Sequence, residues 1–78
     1  MSTLLKNKTI KATSVWFSNN MIYVRLEDGR EVGTPLEWYP KLRDAKKQDL
    51  ENWRFIGQGI GIHWESIDED LSISGILS

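Results

Sequence analysis

Residues 21–26, Met-Ile-Tyr-Val-Arg-Leu, constrain this chain more than any other stretch. Ile22, Val24 and Leu26 fall on one side and Met21, Tyr23 and Arg25 on the other, the period of two that marks a strand with one buried face. Turn chemistry brackets the run. Ser18-Asn19-Asn20 precedes it, and Asn tolerates a left-handed backbone and bonds to its own main chain. Asp28-Gly29 follows as a hairpin signal of the type I′ kind, in which both central residues need positive φ. Residues 9–17, rich in β-branched and aromatic types, then read as the preceding strand, and residues 31–34 as a third strand stopped by Pro35. The prediction is three antiparallel strands in meander order.

The middle of the chain changes character. Residues 36–52 carry good helix formers, with Leu36, Tyr39, Leu42, Leu50 and Trp53 at helix-like intervals. Pro40 would cost one long helix a hydrogen bond and a clash with the preceding turn. Two short helices are therefore expected, over residues 35–42 and 46–52. Residues 53–56 look extended, Gly57, Gly59 and Gly61 allow a tight turn, and residues 60–64 complete a second hairpin. The fold class predicted is α+β: a small antiparallel sheet, made of a three-stranded meander plus a second hairpin, with short helices in the middle and at the C-terminus.

A chain of 78 residues has room for one domain, so 1–78 is read as a single domain with 1–8 as a poorly ordered N-terminal arm. The four Trp help a core too small for many Leu, since each can bury on the order of 150–250 Å². There is no Cys, which excludes disulfide staples and thiolate chemistry. No apolar run approaches the roughly 20 residues that span a bilayer, and the first ten residues lack the apolar core of a secretory signal. A cytoplasmic protein with no membrane association is the default expectation.

The chain's one histidine, His63, lies in Gly61-Ile62-His63-Trp64-Glu65-Ser66-Ile67-Asp68-Glu69-Asp70-Leu71-Ser72, with four acids within the seven residues after it. Extended geometry points Ile62 and Trp64 one way and His63 the other, onto the wetter face. Zinc wants three or four convergent ligands, and here one His and no Cys leave carboxylates to supply the rest. The Asp68-Glu69-Asp70 triplet lacks the alternating oxygens and central Gly of a calcium loop. The reading adopted is architectural. Acids facing the positive end of a helix dipole, with Ser72 as cap, would lead into a C-terminal helix carrying Ile73, Ile76 and Leu77 on one face. No catalytic, cofactor or metal residues are assigned.

The order Asp28-Gly29, Pro35-Leu36, Trp38, Asn52-Trp53, Gly61-Ile62-His63-Trp64 and Asp68-Glu69-Asp70-Leu71-Ser72 resembles the bacterial domain-of-unknown-function family 2442. The match runs over roughly residues 9–77, and its most specific part is Ile62-His63-Trp64 followed at fixed distance by the acidic segment. The resemblance implies a β-meander joined to a short helical segment and a further hairpin, and no established enzymatic activity. It implies an antitoxin or accessory role beside small toxin-like proteins encoded nearby. Gln58 and Glu65 depart from the family's frequent Gly and Pro. Only signature positions carry over: Asp28, Gly29, Pro35, Trp38, Trp53, Gly61, His63, Trp64, Asp68 and Asp70. Of these, Trp38, Trp53 and Trp64 are expected to pack in or near the core and Gly29 to serve the turn.

Function classes can then be weighed. A protein-interaction module is favoured, with a free strand edge for strand addition and Trp16 and Tyr23 as anchoring aromatics. The partner expected is another small protein, the product of a neighbouring gene being the first candidate, or a second copy of the chain. Nucleic-acid binding is the alternative, since Lys and Arg interleave with aromatics through residues 1–54, which hold all ten basic residues against seven acids. A pI near 5.7 argues against it. Catalysis is disfavoured, because no nucleophile–base–orienter set exists, and Gly57-Gln58-Gly59-Ile60-Gly61 lacks the helix a phosphate loop needs.

Overall fold

The structure, a computed structural model, describes residues 10–77, so the expected arm at 1–8 lies outside the described residues. Strands β1 (Ala12–Ser18), β2 (Met21–Leu26) and β3 (Glu31–Pro35) form one antiparallel sheet in the order β1-β2-β3. The helices α1 (Pro40–Arg43) and α2 (Lys47–Leu50) follow. Strands β4 (Trp53–Ile56), β5 (Gly61–Trp64) and β6 (Glu69–Ser72) form a second antiparallel sheet in the order β4-β5-β6, and α3 (Ile73–Leu77) closes the chain. Among the described residues, no helix is long and apolar enough to cross a membrane.

The meander is as predicted, but its two turns exchange roles. Asn19 and Asn20 both have positive φ, 53° and 62°, and join Ser18 to its register partner Met21, so the type I′ turn sits there. At the other hairpin only Gly29 is left-handed, at +96°. Gly29 N–H donates to the Leu26 carbonyl at 2.9 Å and Leu26 N–H to the Arg30 carbonyl at 2.8 Å, a three-residue loop closed by a glycine bulge. Asp28 Oδ1 accepts from the Arg30 N–H at 3.1 Å, which its short side chain can do without left-handed geometry of its own.

Pro40 works as a helix start. It occupies the first turn of α1, where its missing N–H has no intrahelical partner to lose. Before it, residues Leu36–Trp38 form a single 3-10 turn. Three residues per turn align Leu36 with Tyr39, and these face inward, Leu36 buried and Tyr39 half-buried. Trp38 is thereby rotated outward. It is 66% exposed, which overturns its expected packing.

The acidic segment also differs from expectation. Residues 69–72 are not the approach to a helix but a third strand of the second sheet, in which Leu71 pairs with Ile62 and Asp70 with His63. Two forces favour this. Strand β5 would otherwise present an open row of main-chain groups. Glu69 and Leu71 alternate with the more exposed Asp70 and Ser72, the period a strand needs. The helix starts only at Ile73, and the dipole's influence fades within its first turn, beyond reach of Asp68. Ser72 does cap it, its Oγ accepting from the Gly75 N–H at 2.9 Å.

One hydrophobic cluster joins the parts. Ala12, Ile22, Val24 and Leu26 come from the first sheet, Ile62 and Trp64 from the second, Leu36 and Leu42 from the linking segment, and Ile73 and Ile76 from α3. Trp64 is wholly buried, and its indole N–H donates to the Leu50 carbonyl at 2.8 Å, which fixes the end of α2. Trp53 lies half-buried at the edge of the cluster, its ring edge-on to Phe55 with centroids 5.0 Å apart. The Ile73 N–H donates to the Ile60 carbonyl at 2.9 Å and holds the start of α3 against the β4–β5 turn.

Candidate functional site

Two surface regions gather the residues singled out from sequence. The first is the outer face of the β1-β2-β3 sheet. Because Ile22, Val24 and Leu26 point inward, their alternates Met21, Tyr23 and Arg25 must face out. Register then sets Trp16 beside Tyr23 and Ser14 beside Arg25 on β1, and Gly33 and Glu31 beside them on β3. Trp16 and Tyr23 stack with centroids 5.7 Å apart and planes 14° from parallel. The Arg25 guanidinium lies 5.9 Å from the Trp16 ring centroid and pairs with Glu31 on its other side. Gly33 makes room for the stack: a Cβ there would come within 2.5 Å of the Tyr23 ring. The face thus carries an aromatic pair bordered by an ion pair.

Trp16 and Tyr23 are half-buried in this stack, whereas Trp38, on the segment leaving β3, is exposed. Between β3's exit and the Asn19-Asn20 turn lies an open cleft of about 420 Å³, lined by Met21, Pro35 and Leu36 together with polar Asn19, Asn20, Glu37 and Arg43. Arg43 is already committed there: it binds Asp44 at 2.9 Å and approaches Glu37 at 3.7 Å. Its guanidinium holds the Asp44 carboxyl below the usual carboxylate range.

The second region is the outer face of the β4-β5-β6 sheet. Cross-strand register brings Arg54, His63 and Asp70 into one row. His63 Nδ1 lies 2.5 Å from Asp70 Oδ1, and Nε2 lies 3.1 Å from Glu65 Oε1. Arg54 Nη2 reaches the same Glu65 oxygen at 3.6 Å. The hydrogen bond to Asp70, more than the one to Glu65, raises the His63 pKa above its ordinary value, against a smaller opposing effect of burial. His63 therefore stands on the face opposite Ile62 and Trp64, as alternation requires, but it is held rather than free, with 17% of its side chain exposed.

The other expected positions scatter. Asp28 and Gly29 shape a turn, and Asp28 pairs with Arg30 at 2.9 Å. Gly61 is buried, with the Ile56 side chain 3.0 Å from where its Cβ would stand. Asp68 sits at φ +53° in the β5–β6 turn, where its carbonyl accepts from Lys41 Nζ at 3.0 Å. The acids therefore do not converge, and among the described residues no group of three or more His, Asp or Glu could hold a metal ion. Arg54 and Glu65 are members of the His63 row that sequence reasoning did not select. Their signal was the pairing register of 53–56 with 61–64, which places residue 54 opposite 63.

Comparison with known proteins bears on the fold and the family. No curated protein matches the chain. The crystal structure of a protein of unknown function from Rhodospirillum rubrum ATCC 11170, at 2.75 Å, is similar with a TM-score of 0.78 and 29% identity, covering 90% of this chain and 87% of that one. The model of the family described as "Protein of unknown function (DUF2442)" matches residues 12–78, and the chain accordingly belongs to that family.

Proposed function

We propose that the chain is a non-catalytic protein-interaction module that binds another small protein, as the antitoxin or accessory partner of a toxin-like product of a neighbouring gene. The observation that carries this reading is the exposure of Trp38, with the half-buried Trp16–Tyr23 stack as a second aromatic surface. Trp38 is two-thirds exposed, and the Trp16–Tyr23 stack lies on an outer sheet face. Exposed Trp and Tyr are the residue types that most often anchor protein interfaces, because they bury large area at small entropy cost.

The nucleic-acid reading draws less support. Arg25, Arg30, Arg43 and Arg54 each face a carboxylate within 4 Å. Lys41 is spent on a main-chain carbonyl. Phosphate binding relies on cations free to replace counterions.

The test is co-purification of the tagged chain with the product of the adjacent gene, followed by titration with Trp38→Ser and with Tyr23→Ser. A complex weakened at least about 30-fold by one of these, as for an interface hot spot of roughly 2 kcal/mol or more, supports the proposal. Trp38→Ser should leave the thermal midpoint unchanged, which separates lost binding from lost folding. No complex, or a complex indifferent to both substitutions, overturns it. Sedimentation distinguishes a second copy of this chain from a different partner.

A further inference from the structure

We propose that His63 is a proton-operated clasp that fastens edge strand β6 to β5 and, through β6, governs how firmly the C-terminal helix is seated. The argument starts from hydrogen-bond capacity. Asp70 Oδ1 faces one ring nitrogen at 2.5 Å and Glu65 Oε1 the other at 3.1 Å. A carboxylate only accepts, and a neutral imidazole has only one N–H. Both contacts exist together only when both nitrogens carry protons. Loss of one proton turns one contact into two facing lone pairs.

Charge acts in the same direction. The groups around the ring are Arg54 from β4, Glu65 from the end of β5 and Asp70 from β6. With imidazolium the four charges cancel; with neutral imidazole a net negative charge remains between two carboxylates. The strand that would be loosened is the outermost of its sheet, paired on one side only. It runs directly into α3, whose Ile73 and Ile76 belong to the core and whose first N–H is tied to Ile60. A change at Asp70 is therefore transmitted two residues along to the helix cap at Ser72.

The direction in pH follows from the raised His63 pKa. The clasp is fully closed below the unfolded value of about 6.5, provided the carboxylates stay ionised, and it opens as pH rises through the higher folded value. As the chain has one histidine, a single ring resonance reports on it.

Ring titration by NMR and amide exchange across β6 form the test, run on the whole chain with His63→Gln, Asp70→Asn and Glu65→Gln. The expected pKa lies above 6.5, and both carboxylate substitutions lower it, Asp70→Asn more. After correction for intrinsic exchange chemistry, β6 amides in the wild type lose protection as pH rises through that pKa, by up to about tenfold per unit of upward shift. The loss is absent in His63→Gln and smaller in Asp70→Asn, which serves alone should His63→Gln fail to fold. A ring pKa at or below 6.5, or parallel exchange profiles in wild type and variant, overturns the proposal.

Discussion

Replacing Trp64 with Ala tests the account of the core most directly, because Trp64 is the largest fully buried side chain among the described residues. Its indole buries on the order of 150–250 Å². At about 25 cal/mol per Å² that is roughly 4–6 kcal/mol of transfer free energy. Alanine retains some of this and the surroundings relax into part of the space, so the expected cost falls to about 3–5 kcal/mol. The Leu50 carbonyl also loses its donor, for roughly 1 kcal/mol more. A small domain holds only about 5–15 kcal/mol in total. At about 4–8 °C per kcal/mol, the thermal midpoint should fall by at least about 12 °C or the transition should disappear.

Circular dichroism melting and urea titration measure this, with Trp64→Phe as companion. Phenylalanine keeps most of the apolar area but has no N–H, so about 1–3 kcal/mol is expected for it. A Trp64→Ala midpoint within about 4 °C of wild type would refute the reasoning, since less than about 1 kcal/mol would then rest on the indole. Equal losses for both variants would instead assign the effect to the bond with Leu50 and not to burial.

Other substitutions probe separate features. Gly59 has φ +106° and a Cβ there would stand 2.6 Å from the Ala12 carbonyl oxygen, so Gly59→Ala should cost about 2–4 kcal/mol by urea titration; a neutral result would show the turn can shift off β1. Gln58 is also left-handed, at φ 61°, so Gln58→Gly relieves strain that glycine's greater unfolded freedom offsets, and the unfolding free energy by urea titration should stay within about 1 kcal/mol of wild type or rise; a larger loss would show that the Gln58 side chain holds the turn. Thr34 buries its hydroxyl with no partner among the described residues, and Thr34→Val should raise stability by about 1 kcal/mol or more; a drop would reveal a hidden hydrogen bond.

What could be read from the sequence follows the range of the forces involved. The β2 alternation is local and unambiguous, and it carried the meander, the inward Ile22, Val24 and Leu26, and the outward Tyr23. Pro40 ruled out one long helix, although it starts α1 instead of lying inside a first helix over 35–42, and the Ile62 and Trp64 alternation gave the second hairpin's buried side. Trp38 was misjudged because it was carried over as a signature position expected to pack, whereas the tighter 3-10 period decides which side chain turns inward. The type I′ turn was assigned to Asp28-Gly29 on the strength of a dipeptide preference, yet the Leu26–Arg30 bonding selects a longer loop with one left-handed residue. The His63 row was invisible because its members lie on three strands, and only pairing register makes them neighbours.

The acidic segment shows the same limit in its electrostatics. In sequence, basic residues fill the first 54 positions and four acids follow with no Lys or Arg after them, which suggests two opposed poles. Folding removes much of that polarity. Arg54 meets Glu65, His63 meets Glu65 and Asp70, and Lys41 reaches across from α1 to the carbonyl of Asp68. Groups far apart along the chain are thus brought into contact, and the field of such a paired grouping falls off within a Debye length of about 8–10 Å. Within the His63 row the hydrogen bond to Asp70 is what holds the His63 pKa above its ordinary value, so the proton on the ring and the pairing of β5 with β6 are coupled through one contact.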